Sequence, residues 1–251
     1  MEPSDYIYGT RAVIEAIEAG KEIDKILIKK DLQNELASEL LGAARAARVP
    51  VQRVPVEKIN RITRKNHQGV LAILSAVTYH KLEHLVPALY EEGVLPFVVV
   101  LDGVTDVRNF GAIARTAECC GASAIVIPER GSVSVSGDAM KTSAGALNYL
   151  PVCRERSLTE AVRFLKDNGY QIVGVTEKAS FNYTKADFTT PVAMVMGAED
   201  TGISPAVLDL CDARVSIPMF GKIGSLNVSV AAAVIMYEIV RQRLESDMEV
   251  I

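Results

Sequence analysis

The fold is decided by residues 97–127, which read FVVVLDGVTDVRNFGAIARTAECCGASAIVI. The apolar run Phe97 to Leu101 has the length and composition of a fully buried strand. Residues 111–120 repeat apolar side chains at helical spacing, and residues 124–127 are again apolar and largely β-branched. A strand, a helix and a second strand in this order predict a mostly parallel β-sheet covered by helices.

The same alternation extends from this stretch in both directions. Towards the C-terminus it predicts strands at 171–176, 192–196 and 214–217, helices at 158–168 and 205–210, and a last, largely buried helix at 227–243. Towards the N-terminus it predicts strands at 23–28, 51–54 and 70–76 and a helix at 32–47. We therefore expect a small α/β domain at 1–76, a linker with a short helix at 77–94 and a second α/β domain at 95–251.

Composition excludes several classes of protein. The chain has 251 residues, of which 49% are hydrophobic and 23% charged, as in globular proteins. The apolar run at 94–101 contains Pro96 and is too short to cross a bilayer, and the N-terminus lacks the basic start of a signal peptide. Four cysteines without a C-x-x-C pair and three histidines favour reduced thiols in the cytoplasm and no metal site.

The charge is unevenly distributed along the chain. The net charge of −4 by itself disfavours a nucleic-acid partner, yet residues 45–65 contain seven cations and one acid. These cations are candidates for RNA contacts, although a solvated basic face would have the same composition. They are Arg45, Arg48, Arg53, Lys58, Arg61, Arg64 and Lys65.

Three loops follow predicted strands and are candidates for a ligand site. They span 102–111, 197–202 and 218–227, and ligands of parallel sheets bind beyond the carboxyl ends of the strands. None of them has the glycine pattern of a dinucleotide site or a P-loop, and no G-x-S-x-G elbow is present. Taken singly, each loop could also be an ordinary helix cap or turn.

Together, the three loops resemble the ordered motifs of a known family. The motifs are Asn109-x-Gly111-x-x-x-Arg115, Met196-Gly197-Ala198-Glu199-x-x-Gly202, and Ile217-Pro218-Met219 with Ser225-Leu226-Asn227-Val228-Ser229-Val230-Ala231. This order resembles the SpoU/TrmH family of RNA ribose 2′-O-methyltransferases in the SPOUT superfamily. The elements Tyr8-Gly9 and His67-Gln68-Gly69-Val70 are similar to the small L30e-like domain of the bacterial 23S rRNA guanosine 2′-O-methyltransferases.

The resemblance implies an S-adenosylmethionine site in a C-terminal trefoil knot. The backbone around Gly197, Ile217 and Leu226 would hold the cofactor, with Met219 close by. An adenine needs backbone hydrogen bonds and an apolar slot, and glycine allows the main chain to approach closely.

The resemblance also implies a set of catalytic residues: Asn109, Arg115, Glu199, Ser225 and Asn227. Arg115 would either activate the ribose hydroxyl or grip a phosphate, and a guanidinium is a poor base at neutral pH. Glu199 would pair with Arg115 or accept the proton, whereas the remaining three would orient the ribose, the arginine or the loop. Arg241, near the end of the last helix, would touch RNA phosphate, although a basic residue near a helix C-terminus also has a structural reason.

The expected function is S-adenosylmethionine-dependent 2′-O-methylation of a ribose, that of guanosine, in 23S rRNA. The alternatives are a tRNA ribose 2′-O-methyltransferase, a non-catalytic RNA-binding ribosome assembly factor and a small-molecule α/β enzyme. The presence of all five catalytic candidates argues against a pure binding protein. The resemblance further implies a homodimer, and the composition predicts no membrane or metal partner.

Overall fold

A computed structural model of the chain describes residues 5–248, and their side chains up to residue 246. Two compact units are present. The smaller one consists of the chain up to Thr78 together with Ser134–Lys141, and the larger one consists of Tyr79–Val133 and the chain from Thr142 onward. None of the described helices is long and apolar enough to cross a membrane.

The smaller unit is a four-stranded sheet with helices packed on it. In chain order it contains β1 (Tyr6–Tyr8), α1 (Thr10–Glu18), β2 (Ile23–Lys29), α2 (Glu35–Ala46), β3 (Val51–Val54), α3 (Val56–Asn60) and β4 (Val70–Leu74). The strand order is β1-β4-β2-β3, in which β4 runs antiparallel to both neighbours and β2 and β3 are parallel. This small α/β domain precedes the larger one, as predicted.

The larger unit is built on an eight-stranded sheet. Its elements are β5 (Tyr79–His80), α4 (Leu82–Glu91), β6 (Phe97–Asp102), α5 (Val107–Cys119), β7 (Ala124–Pro128), β8 (Val152–Glu155), α7 (Leu158–Asp167), β9 (Gln171–Val175), β10 (Phe181–Asn182), β11 (Val192–Gly197), α8 (Pro205–Leu208), β12 (Ala213–Ser216) and α9 (Val228–Met248). In the sequence α6 (Gly137–Thr142) follows β7, but its residues up to Lys141 belong to the smaller unit. Short 3₁₀ turns of the larger unit occupy Ala146–Asn148 and Tyr183–Lys185. The order is β10-β12-β9-β11-β6-β7-β8-β5, with every neighbouring pair parallel, which confirms the predicted parallel sheet.

The central strands of this sheet are buried. Every residue of β11 is buried, as is β6 from Phe97 to Leu101, because helices cover both faces of a parallel sheet. The two strands pair from Val192 with Phe97 to Gly197 with Asp102. The loops that follow β6, β11 and β9 therefore leave the sheet at adjacent points of one edge.

Two expectations differ from the structure. The segment 77–94, expected to be a linker with a short helix, also contains β5, which pairs with β8, and the helix, α4, buries Leu82 and Val86 in the core of the larger unit. The last helix, expected to be largely buried, buries one side and exposes Val230, Tyr237 and Leu244. A helix with apolar residues on all sides can be buried on any of them. Which side is buried depends on the packing of the helix against the rest of the protein.

Candidate functional site

A cavity of about 270 Å³ lies at the carboxyl ends of β9, β11 and β12. Its lining combines main chain, apolar side chains and a few polar groups, as expected of a small-molecule site. The lining residues are Val175, Thr176, Glu177, Met196, Gly197, Ala198, Glu199, Gly202, Ile217, Met219, Gly224, Ser225, Leu226, Asn227, Val228 and Ala231. The four residues expected to hold the cofactor, Gly197, Ile217, Met219 and Leu226, are all among them.

The wall formed by the end of β11 requires a glycine. A Cβ on Gly197 would lie 2.1 Å from the carbonyl carbon of Gly202 and 2.2 Å from the nitrogen of Ile203, far inside van der Waals contact. The chain turns back here because Ala198 and Gly202 exchange backbone hydrogen bonds of 3.2 and 2.9 Å. Glu199 lies within this turn. The close contact of Gly197 with the backbone of Gly202 and Ile203 therefore fixes the turn that positions the carboxylate of Glu199.

A carboxylate from β6 holds the far end of the same turn. Oδ2 of Asp102, the last residue of β6, accepts the backbone N–H of Ser204 at 2.7 Å. The sequence analysis did not single out Asp102. Asp102 lies at the end of a strand beside β11, but a role in the site can be predicted from this position only when the strand order is known.

The first motif lies in the first turns of α5, and the side chain of Asn109 does not cap this helix. Asp106 caps the helix, since its Oδ1 accepts the N–H groups of Arg108 and Asn109 at 2.8 and 2.9 Å. The loop therefore does contain a helix cap, but the cap residue is Asp106 and not Asn109. Gly111 is required by packing, because a Cβ there would lie 2.1 Å from Oγ1 of Thr142.

Asn227 connects the three motif loops. Its Nδ2 donates to Oδ1 of Asn109 at 2.9 Å and to Oε1 of Glu199 at 2.8 Å. Its Oδ1 accepts the N–H and the hydroxyl of Ser229 at 2.9 and 2.5 Å, which caps the start of α9. One side chain therefore caps a helix and joins residues that are 118 and 28 positions away in the sequence.

The side chains of Arg115 and Ser225 have no hydrogen-bond partner within residues 5–246. Ser225 lines the cavity, whereas Arg115 is exposed on α5 and does not line it. The expected pair between Arg115 and Glu199 is absent from this part of the chain, and the Oε1 of Glu199 accepts from Asn227 instead. The second oxygen of Glu199, Oε2, accepts no hydrogen bond from these residues.

The sequence analysis missed the wall formed by Val175, Thr176 and Glu177. These residues follow β9, which lies beside β11 in the sheet. The strand β9 was predicted, but its position beside β11 was not, because a single sequence does not give the order of strands in a sheet. The general rule that ligands bind beyond strand ends was the available signal.

The seven cations of residues 45–65 are all exposed on the smaller unit. Arg53 donates to the carbonyl oxygen of Lys30 at 2.9 Å, and Lys65 lies near the ring of Tyr8. Arg241, on the larger unit, is paired with Glu238 and Glu245 at 2.8 and 2.6 Å. No group of side chains suited to a metal ion occurs among the described residues.

Comparison with known proteins identifies the class that this sheet and cavity define. The model of the SpoU rRNA methylase family matches residues 96–237, and that of the RNA 2′-O ribose methyltransferase substrate-binding domain matches residues 6–80. The chain therefore belongs to the SpoU rRNA methylase family. This confirms the resemblance inferred from the three motifs, and with it the prediction of an RNA methyltransferase.

Individual relatives agree with this assignment. A TrmH family tRNA/rRNA methyltransferase of Staphylococcus saprophyticus is 39% identical over 94% of this chain and 95% of its own length. The SpoU methyltransferase AviRb from Streptomyces viridochromogenes, solved in complex with the cofactor AdoMet, is 28% identical with a TM-score of 0.61, and the match covers 96% of this chain and 90% of that one. A TrmH/SpoU tRNA modifying enzyme from A. aeolicus is 30% identical with a TM-score of 0.56, covering 66% of this chain and 86% of that one.

Proposed function

We propose that this RNA methyltransferase methylates the 2′-hydroxyl of a ribose, that of guanosine, in 23S rRNA. The observation that carries the proposal is the amide of Asn227, which joins Asn109 and Glu199 at the cavity. The substrate-binding domain matched at residues 6–80 supports an RNA substrate. The match to the tRNA modifying enzyme leaves a third of this chain uncovered, whereas the family model is that of an rRNA methylase.

S-adenosylmethionine is the cofactor, and the cavity suits it. Main chain at Gly197, Ile217 and Leu226 can bond the adenine edge, and the side chains of Met196, Met219 and Val228 provide apolar walls. When bound there, the cofactor supplies a methyl group on a sulfonium. In this proposal the loops that form the cavity are those of the trefoil knot that the family resemblance implies.

The residues of the chain align the acceptor ribose and remove its proton. Glu199 is the proposed proton acceptor, because its Oε2 is open to the ribose hydroxyl while its Oε1 is held by Asn227. Asn109 and Ser225 orient the ribose. Arg115 grips the phosphate next to it, since a guanidinium remains charged at neutral pH and offers a fork of N–H donors.

The RNA is held through phosphate contacts by the seven exposed cations of residues 45–65 on the smaller unit. Arg241 belongs to the proposed contacts as well. The ion pairs of Arg241 with Glu238 and Glu245 give this arginine a structural role as well. A bound phosphate would compete with Glu245 for the guanidinium.

A homodimer and a cytoplasmic location complete the proposal. Val230, Tyr237 and Leu244 are 49%, 56% and 59% exposed and follow one another at intervals of seven residues, which places them on one face of α9. Burial of this face against a second copy would remove their apolar surface from water. All four cysteines are free thiols, as expected in a reducing compartment.

The experiment that tests the proposed function measures transfer of radiolabelled methyl from S-adenosylmethionine to unmodified 23S rRNA and, separately, to tRNA. We expect label on rRNA from the wild type and loss of transfer with Arg115→Ala. Arg163→Ala removes an exposed arginine of α7 outside the site and is the matched control. Label on tRNA alone would favour a tRNA enzyme, and cofactor binding without transfer to any RNA would favour an assembly factor.

A further inference from the structure

A second cluster of aromatic and polar side chains lies in the smaller unit. Tyr8 ends the edge strand β1, and Nζ of Lys65 lies 5.8 Å from the centre of its ring. Oε1 of Gln68 lies 3.8 Å from the position that a Cβ on Gly9 would occupy. The cluster thus brings together the motifs Tyr8-Gly9 and His67-Gln68-Gly69, neither of which the proposed function uses.

The turn that carries Gln68 has an unfavourable backbone conformation. Gln68 has a φ of 53°, in the left-handed region that residues with a Cβ rarely adopt. His67 fixes this turn from below: it is 9% exposed, and its Nδ1 accepts the N–H of Gly69 at 3.0 Å. The neutral ring must then carry its proton on Nε2, which donates to Oδ1 of Asn60 at 2.8 Å. A buried imidazole therefore holds an exposed glutamine in place.

Packing against the buried core does not account for Tyr8 or Gln68. Tyr6, on the same strand, packs against the core of the smaller unit, whereas the half-buried Tyr8 ring contacts the Tyr6 ring, with 6.3 Å between their centres, and lies beside Lys65. Gln68 is exposed, and its side-chain amide makes no hydrogen bond within residues 5–246. A strained turn that presents an unused amide next to an aromatic ring and a cation is typical of a ligand site.

The three groups have the chemistry that recognises an unpaired nucleotide. A tyrosine ring stacks on any base, a primary amide can both donate to and accept from a base edge, and an ammonium group pairs with phosphate. Arg61 and Arg64, exposed nearby in the sequence, extend the positive charge beside Lys65. A free phosphate or an acidic peptide would use the cations but would leave the ring and the amide without a role.

We propose that Tyr8, Lys65 and Gln68 form a binding site for one unpaired base of the RNA substrate. The smaller unit then recognises a base and does not hold phosphates alone. The proposal rests on the proposed function in one respect, namely that the substrate is RNA.

The test compares two fluorescent probes by anisotropy with the full chain. One is a short single-stranded RNA containing all four bases, and the other is the same ribose-phosphate chain without bases. We expect the wild type to bind the base-containing probe roughly tenfold more tightly, which is the order of one stacked base. Tyr8→Leu should remove most of this preference, and Tyr8→Phe, which keeps the ring, should retain it.

Gln68→Ala and two lysine variants make the test specific. Gln68→Ala removes exposed atoms alone and should weaken binding of the base-containing probe while leaving the abasic probe unaffected. Lys65→Gln should weaken binding of both probes by the same factor, because it removes a phosphate contact. Lys21→Gln removes an exposed lysine after α1 and should change neither.

Equal affinity of the wild type for the two probes would overturn the proposal. So would a Gln68→Ala variant that keeps the full preference for bases, even if Tyr8→Leu were to lose it through loosening of the edge strand. Methyl transfer separates this proposal from the proposed function. If the variants lose base-dependent binding while the wild type does not methylate rRNA, the base site stands and the proposed function fails. If the wild type methylates rRNA but binds both probes equally, the proposed function stands and the base site fails.

Discussion

At the scale of single residues, Asn227 has two roles that lie at opposite ends of its amide. The oxygen caps α9 by accepting from Ser229, and the nitrogen joins Asn109 to Glu199. The motif allowed us to predict that the asparagine belongs to the site. It could not reveal the link to Asn109, because that contact depends on where α5 and α9 lie in the folded chain.

Two substitutions of Asn227 separate these roles. Asn227→Asp keeps an oxygen at the cap but loses both N–H donors and places a second carboxylate beside Glu199. We expect the rate of methyl transfer to fall by roughly a hundredfold or more, as on removal of an oriented donor, with the cap retained. Asn227→Ala should in addition lower the free energy of unfolding by about 1 kcal/mol. Steady-state kinetics and urea unfolding measure the two effects, and an Asn227→Asp variant of normal activity would show that the bridge is structural alone.

Gly197 is predicted to tolerate no side chain. Gly197→Ala would place a methyl group 2.1 Å from the backbone of Gly202, and we expect a loss of about 1–3 kcal/mol of stability from overpacking, together with loss of cofactor binding. Gly221→Ala is the control, because a Cβ there meets no atom within 4 Å. Thermal unfolding and calorimetric titration with S-adenosylmethionine measure both effects. Equal stability and affinity for the two variants would contradict the geometry.

Among the secondary-structure elements, the sequence predicted the long apolar strands and missed several short ones, including β5, β8 and β10. β6, β7, β9 and β11 are long apolar runs, and each was predicted to within about one residue at each end. β5 and β10 have two residues each, too few to show an alternation, and they become strands because a neighbour in the sheet offers hydrogen bonds. In residues 77–94 the sequence therefore predicted a linker with a short helix, and β5 was missed.

A buried carboxyl group on α9 predicts a pH dependence of stability. Glu238 is 7% exposed, and the hydrogen bonds from Arg241 hold its pKa below the ordinary value, against the effect of burial and with help from Gln242. A lowered folded-state pKa stabilises the protein above the unfolded-state pKa of about 4.3, and this contribution is lost as the pH falls through the folded value.

Glu238→Gln should therefore be less stable than the wild type at pH 7, and the gap should narrow as the pH falls below about 4.3. Urea unfolding over this range measures it, with Glu245→Gln as the exposed control on the same helix. A gap that stays constant down to acidic pH would show that the charge of Glu238 is not what stabilises the helix.

At the scale of the whole molecule, family membership determines the chemistry, and the surface determines the assembly. We expect the exposed face of α9 to be covered by a second copy of the chain. Tyr237→Glu places a charge at the centre of this face and should yield a monomer in light scattering after gel filtration, while Tyr237→Phe should remain a dimer. A wild type that is monomeric at micromolar concentration would contradict this part of the proposal.

We expect the methyl group to be transferred to a ribose oxygen of 23S rRNA. Fragment masses of the nucleosides released from unmodified 23S rRNA, after reaction with the enzyme and S-adenosylmethionine, show whether the base or the ribose carries the methyl group. We predict one 2′-O-methylguanosine per 23S rRNA molecule, lost with Asn227→Asp. Methyl groups found on a base, or on tRNA alone, would contradict it.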